Sequence, residues 1–311
     1  MSTEVIDWSM TICNLLVLPI VMPLNLLVIW ILKTKPEYKS RTAYTIIFTI
    51  AVLDCLHMTT TFIAGIMNLA PESLSEAIGK YGSCLRNGYL LAIPILEFLL
   101  AGNRFLIILR VNGNAMNVLI FKIVIFASAI IPVPFLFLLS LVDKNIMFSF
   151  HAATYRYQGP PYFEKPYIYS RLVLEGTALG LYFLTIAILG VQARLYSKSS
   201  SVVSKREIRL LVQALIQSLP VAFTIFIGAF LFEEIWKHGF LFVVWSVTAI
   251  TIPATHLLVL IVFNQHVQKH IKMWILGKPS KKLFVSPTNR GASTRFHKSV
   301  KKTTVFVMSR C

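Results

Sequence analysis

Long apolar stretches, separated by short polar and basic segments, dominate this chain. Seven of them reach about 20 residues, the length at which an α-helix crosses the hydrocarbon core of a bilayer. They run from Met10 to Leu32, Ala43 to Met67, Tyr81 to Leu109, Val118 to Leu141, Leu172 to Leu195, Glu207 to Phe232 and Gly239 to Phe263. The pattern predicts an all-α membrane protein whose residues 10–263 form a bundle of seven transmembrane helices.

The segments that flank the bundle have different patterns. Residues 1–9 carry Glu4 and Asp7 but no Lys or Arg, unlike the start of a signal peptide, so we expect the first span to be retained. Residues 264–276 set an apolar face (Val267, Ile271, Trp274, Ile275) against a basic one (Lys269, His270, Lys272). That periodicity predicts an amphipathic juxtamembrane helix along the inner leaflet. Residues 277–311 mix Lys and Arg with Ser and Thr, a composition typical of disorder.

Composition excludes a soluble protein. The chain of 311 residues is 56% hydrophobic and 14% charged, whereas soluble domains are about 45–50% apolar with about a quarter of their residues charged. Its net charge of +17 is of the size found in nucleic-acid binders, but those proteins carry it on a polar surface that this chain lacks. We therefore expect no nucleic-acid partner, and membrane lipids as the surroundings.

The position of the basic residues predicts the topology. Most of the 30 Lys and Arg fall in alternate loops and in the C-terminal tail, which share one side of a seven-span bundle. Lys and Arg in short loops are enriched on the cytoplasmic side. The sequence thus predicts a multi-pass protein with its N-terminus outside and its C-terminus in the cytoplasm.

Five short motifs occur in order along the spans. Residues 25–28 (NLLV) resemble the NxxV signature of rhodopsin-like G-protein-coupled receptors, and residues 50–54 (IAVLD) resemble that family's LAxxD. Residues 102–105 (GNRF) keep only the Arg of the family's Asp/Glu-Arg-Tyr motif, and Asn-Arg here is similar to the nematode serpentine chemoreceptors. Residues 217–220 (QSLP) keep the proline of CWxP, and residues 252–256 (IPATH) resemble NPxxY with Asn and Tyr replaced.

This resemblance implies a function. Such receptors bind an extracellular small molecule or peptide in the outer half of the bundle and activate a heterotrimeric G protein at the plasma membrane, here of a sensory cell or its cilium. The resemblance assigns an activation core of Asn25, Asp54, Pro220, Pro253 and His256. In the family the second-span carboxylate helps to hold a sodium ion, but Ile252 replaces the seventh-span Asn, so we expect neither a metal nor a cofactor.

The polar residues inside the spans need partners. A charged side chain in hydrocarbon is costly unless it is paired, so Asn25 and Asp54 are predicted to form an interhelical polar core. His256 has two interpretations. It pairs with Asp54 and couples the second and seventh helices to protonation, or it stays uncharged and bonds to the backbone.

Candidate ligand residues follow from counting along the third span. Arg86 lies about five turns of helix outward from Arg104. Receptors of this family that bind amines place a carboxylate there, so Arg86 implies an acidic or anionic ligand. In the alternative, Arg86 reaches outward to the lipid headgroups. The side chains at comparable depth are Tyr89, Glu175, Phe223 and Trp245.

The inner ends of the third and sixth spans carry the residues expected at the G-protein interface, namely Arg104, Lys205, Arg206 and Glu207. A carboxylate near Arg104 would hold the two helices together at rest, and Glu207 is the nearest acidic candidate. Pro220 is the expected pivot of the sixth helix.

Cysteine positions depart from the family. The disulfide that the family forms between the third helix and the second extracellular loop is not expected, because residues 142–169 contain no cysteine to pair with Cys84. Cys84 either bonds to Cys13 or is a small buried residue.

Other classes of protein fit less well. The sequence contains no HExxH, GxSxG or P-loop motif, so an enzyme is not expected. The alternative is a seven-span small-molecule transporter or a ligand-gated channel. A transporter of this size is expected to show two similar halves and a polar relay in mid-membrane, and neither is apparent in the sequence.

Overall fold

A computed structural model describes residues 3–35, 38, 42–69, 76–109, 115–142, 147–151, 154–158, 161–195, 205–231 and 239–275. Helices occupy most of this part of the chain. They are α1 (Thr3–Thr34), α2 (Thr42–Leu69), α3 (Glu76–Ile108), α4 (Ala115–Ile130), α5 (Pro132–Val142), α6 (Pro161–Leu195), α7 (Lys205–Phe230), α8 (Gly239–Phe263) and α9 (Gln265–Ile275). The basic tail, residues 277–311, and the loops between these ranges lie outside the described residues.

The helices confirm a multi-pass helical membrane protein. Six of them (α1, α2, α3, α6, α7, α8) are each long and apolar enough to cross a bilayer, and the bent pair α4–α5 brings the number to seven if it is one span. Two helices begin well before their predicted starts. Thus α1 extends into the predicted N-terminal segment 1–9, and α6 begins at Pro161, where a proline at the first helical position costs no hydrogen bond.

The fourth predicted span, Val118 to Leu141, consists of two helices in the structure. Helices α4 and α5 meet at an angle of 44°. The break falls at Ile131, just before Pro132 and Pro134, whose rings cannot donate a backbone hydrogen bond. Hydrogen bonds continue across it, because Ile131 donates to Ala127 at 2.9 Å and Phe135 donates to Ile131 at 3.0 Å. The prolines therefore bend the span without unwinding it.

A β-hairpin qualifies the all-α prediction. Strands β1 (Met147–His151) and β2 (Thr154–Gln158) pair antiparallel, with Phe148 opposite Tyr157. Aromatic residues occupy every second position of both strands, and the residues between them are polar apart from Met147; aromatic residues favour extended structure. A hairpin between the fourth and fifth spans was not predicted from the sequence.

Apolar side chains cover the outside of the bundle, as a lipid environment requires. On α1, the large residues Trp8, Ile12, Leu16, Ile20 and Leu24 recur every four positions, and all are exposed. That spacing places them along one face of the helix. We infer that this face contacts lipid, since such a stripe would be unfavourable in water.

Helix α3 is the centre of the bundle. It packs against α2, α4, α5, α6 and α7, while α1 packs against α2 and α8, and α7 lies between α6 and α8. Side chains that α3 directs inward can therefore meet groups from several other helices.

A close approach of α3 to α5 depends on Gly88. A Cβ atom at this position would lie 2.5 Å from Val133 Cγ2 and 3.1 Å from Val133 Cα. Val133 Cα belongs to the backbone, so it cannot move aside as the end of a flexible side chain would.

Replacing Gly88 by alanine is expected to lower the thermal unfolding midpoint of the purified protein, by an overpacking cost of about 1–3 kcal/mol. Gly180→Ala in α6 is the matched control, since nothing lies within 4 Å of a Cβ there, and alanine is the better helix former by about 1 kcal/mol. Equal midpoints for the two variants would contradict this account of the α3–α5 contact.

The juxtamembrane helix α9 packs differently from the prediction. Val267 and Ile271 belong to the same apolar core as the spans, so this part of the predicted lipid-facing stripe packs on the bundle. Asn264 caps the helix, because its side-chain oxygen accepts the backbone N–H of Val267 at 3.2 Å.

Candidate functional site

Five polar side chains meet inside the bundle. They are Asp54 of α2, Tyr89 and Glu97 of α3, Glu175 of α6 and His256 of α8, and each is at most 3% exposed. We call them the carboxylate–histidine cluster. Ionisable groups buried within membrane spans are rare and usually functional, so this cluster is the candidate site.

Asp54 and His256 are in contact. His256 Nδ1 lies 3.2 Å from Asp54 Oδ1 and 3.1 Å from Oδ2. The Tyr89 hydroxyl donates a hydrogen bond to Asp54 Oδ1 at 2.8 Å. The pairing between the second and seventh spans, one of the two interpretations of His256, is therefore present, and α3 adds a third partner.

The other nitrogen of His256 faces a second carboxylate. Nε2 lies 3.5 Å from Glu97 Oε1. An imidazole with a carboxylate at each nitrogen can donate to both only when both nitrogens carry a proton. In that state His256 links Asp54 to Glu97 and so joins α2, α8 and α3 through charge.

His57 is a part of this region that the sequence analysis missed. Its ring is fully buried and stacks on Tyr89, with centroids 4.2 Å apart and planes at 5°. It also approaches the backbone of Ala249, whose carbonyl lacks the usual helical donor because Pro253 follows four residues later. The available signal was spacing, since His57 lies three residues after Asp54 on the same helical face.

Glu97 was likewise absent from the predicted site residues, although it is a carboxylate in the middle of an apolar stretch. One sequence does not show which way such a residue faces. Because α3 is surrounded by other helices, a residue on α3 faces the protein interior more often than a residue on an outer helix such as α1.

Asn25 stabilises a different contact from Asp54. Its side-chain amide donates to the carbonyl of Ala51 at 2.9 Å and to Cys55 Sγ at 3.3 Å. Both acceptors belong to α2, so Asn25 joins α1 to α2. The predicted polar core therefore consists of two neighbouring parts.

The two predicted proline positions lie within continuous helices, Pro220 in α7 and Pro253 in α8. One turn before Pro220, the side chain of Gln217 donates to the carbonyl of His256 at 3.2 Å. This bond connects α7 directly to the helix that carries the histidine of the cluster.

The structure separates the predicted ligand residues into groups. Arg86, Tyr89 and Glu175 are buried inside the bundle, and Phe223 lies on an exposed face. The indole N–H of Trp245 donates to the carbonyl of Thr224 at 3.0 Å and ties α8 to α7.

Arg86 is buried within the bundle. Helix α3 begins at Glu76, earlier than predicted, so Arg86 lies well inside it and is only 7% exposed. Its charge acts on His57 and on Tyr167 of α6. The hydroxyl of Tyr167 in turn donates to the carbonyl of Asn87 at 3.0 Å, so the surroundings of Arg86 are fixed from both helices.

At the predicted G-protein face, Arg104 is 5% exposed and lies close enough to Tyr182 of α6 to act on its hydroxyl electrostatically. Lys205, Arg206 and Glu207 form the first residues of α7. Their side chains are outside the described residues, so the contact of Glu207 with Arg104 remains a prediction.

The structure decides between the two alternatives for Cys84. Cys13, Cys55 and Cys84 are free thiols, so the Cys13–Cys84 bridge is excluded. Cys84 is a small buried residue that packs against Leu136 of α5.

No protein-family model matches this chain, and no curated protein matches it. A proposal for its function must therefore start from the spans, the carboxylate–histidine cluster and the order of the sequence motifs.

Proposed function

We propose that this protein is a rhodopsin-like G-protein-coupled receptor of the nematode serpentine chemoreceptor kind. It binds an extracellular small molecule or peptide and activates a heterotrimeric G protein at the plasma membrane of a sensory cell, with its N-terminus outside. The contact of Asp54 with His256 and Tyr89 is the observation that supports this best. It ties the second, third and seventh spans together where the motif order places the activation core.

The proposed mechanism is a two-state equilibrium. Ligand binds the open form more tightly and so raises its population. In that form the inner end of α7 swings about Pro220 and opens a cytoplasmic cleft lined by Arg104. The bond from Gln217 to His256 supports this coupling, because movement of α7 about Pro220 would act on the helix that carries the cluster.

The buried Arg86 supports an anionic ligand. In cells that carry a calcium or cAMP reporter, we expect activity from a panel of small carboxylic acids. Arg86→Gln should then weaken the response about ten- to a hundredfold, the value of one charge-assisted hydrogen bond. Lys165→Gln, an exposed cation of α6, is the matched control. Responses to amines but not to acids would contradict the role of Arg86.

One observation favours a transporter or channel as the second candidate. Asp54, His256, Glu97 and Glu175 form a connected series of polar side chains across the bundle, and a transporter would use such a series as its polar relay. A receptor's responses should vanish when G-protein activity is blocked. Uptake or current that persists under that block would favour the second candidate.

A further inference from the structure

Glu97 and Glu175 form a pair of carboxylates between α3 and α6. Each is 2% exposed, and their side chains interact with each other. The pair lies where the central helix packs against its neighbour. In the receptor proposal Glu97 has no role, and Glu175 is a candidate ligand residue only because of its depth in the bundle.

The four oxygens of this pair accept no hydrogen bond from the part of the chain that the structure describes. His256 Nε2 lies 3.5 Å from Glu97 Oε1, and this contact is an ion pair once the imidazole is protonated. Arg171 is one turn before Glu175 on α6 and acts on it through charge. Two buried acceptors in contact therefore face each other with no hydrogen between them.

An ionised carboxylate only accepts hydrogen bonds, whereas a protonated one also donates. Two ionised carboxylates in contact repel, and burial increases that repulsion. A single proton removes one charge and supplies the missing donor, giving a strong hydrogen bond from the protonated carboxyl to its ionised partner. We propose that Glu97 and Glu175 form a proton-binding site in which one shared proton joins α3 to α6.

Charged and titratable groups surround the pair on several helices. Asp54 of α2 is balanced by His256 of α8 once the imidazole is protonated. Arg171 of α6 acts on Glu175 through charge. Tyr89 and Tyr182 also lie near the pair, and the cation of Arg104 acts on Tyr182. From α7, the neutral Ser218 faces Tyr182.

The site makes the packing of α3 on α6 depend on pH. Loss of the shared proton leaves two negative charges in contact and weakens this helix pair. The inference does not require the receptor proposal, because a receptor and a transporter with these residues would hold the same proton.

Infrared spectroscopy of the purified full-length protein in lipid nanodiscs tests the site. The carbonyl stretch of a protonated carboxyl is distinct from the bands of ionised carboxylates. At neutral pH we expect one such band, with slow hydrogen–deuterium exchange because the pair is buried. Glu97→Gln and Glu175→Gln should each abolish it. Glu4→Gln, which precedes the apolar part of α1, should leave it unchanged.

Thermal unfolding supplies a second measurement that needs no ligand or G protein. The midpoint of the wild type should fall as the pH is raised above neutral, and Glu175→Gln should reduce this dependence because glutamine mimics the protonated form. A wild-type spectrum without a protonated carboxyl at neutral pH would overturn the proposal even if neither variant folds. Stabilisation by sodium chloride over potassium chloride, with both carboxylates ionised, would instead show a metal-cation site.

Discussion

Replacing His256 by alanine is expected to destabilise the protein by about 3–5 kcal/mol, because it removes the cation from a buried ion pair and leaves Asp54 uncompensated. The loss should be large here, since the same imidazole also faces Glu97. Thermal unfolding of the purified protein in detergent measures it directly. The control is Lys269→Ala, an exposed cation of the juxtamembrane helix, which should stay within about 0.5 kcal/mol of the wild type.

A double-mutant cycle separates the ion pair from simple loss of packing. Asp54→Asn keeps an oxygen that can accept from Tyr89 but removes the charge that His256 faces. If the pair acts as a unit, the double variant Asp54→Asn with His256→Ala should be less destabilised than the sum of the two single variants. Strict additivity, or equal effects of His256→Ala and Lys269→Ala, would show that the contact contributes little.

Arg104→Ala is expected to abolish activation of a G protein, the second large effect. In the receptor proposal Arg104 lines the cytoplasmic cleft. Removing its side chain should therefore lower activation at least about tenfold, equivalent to 1.4 kcal/mol of coupling. The assay compares cells with equal surface expression, stimulated by an acid that activates the wild type. Surface expression is part of the measurement because Arg104 is buried and its loss also affects folding.

Arg194→Ala serves as the control for charge at the inner face. Arg194 is in the last turn of α6 and is exposed, so its removal subtracts the same charge without disturbing the core. An Arg104→Ala variant that signals like Arg194→Ala would show that Arg104 has no part in coupling. The receptor proposal would then lose its inner site, while the proton site at Glu97 and Glu175 would be unaffected.

The spans were predictable from sequence because a bilayer imposes one requirement on every helix that crosses it. About 20 apolar residues are needed whatever the helix packs against, and a single sequence shows such lengths directly. Helix ends and breaks were less predictable. The bend at Ile131 depends on how two nearby prolines are accommodated, and apolar length alone contains no information about that.

The site was only partly predictable, for a different reason. That Asp54 needs a partner followed from the cost of a lone carboxylate in hydrocarbon, but its pairing with His256 was only one of two interpretations that the sequence left open. Glu97 and His57 were missed because their importance depends on rotation about the helix axis and on which neighbours lie there. Phe223, chosen by depth alone, lies on an exposed face for the same reason. The depth of a residue in the bundle follows from counting along the sequence. The direction in which its side chain points is known only once the helices are packed together.

The exposed apolar stripe of α1 implies a pattern of tolerated substitutions opposite to that of a water-soluble protein. In a water-soluble protein, polar substitutions are accepted at the periphery and apolar ones in the interior. Here the periphery should accept nearly any lipid-soluble residue, so Ile12 or Leu16 could become Phe or Val with little effect. The interior should reject changes as small as one methylene or one charge. A saturation library of this chain would therefore place its least replaceable polar residues at the centre of the molecule.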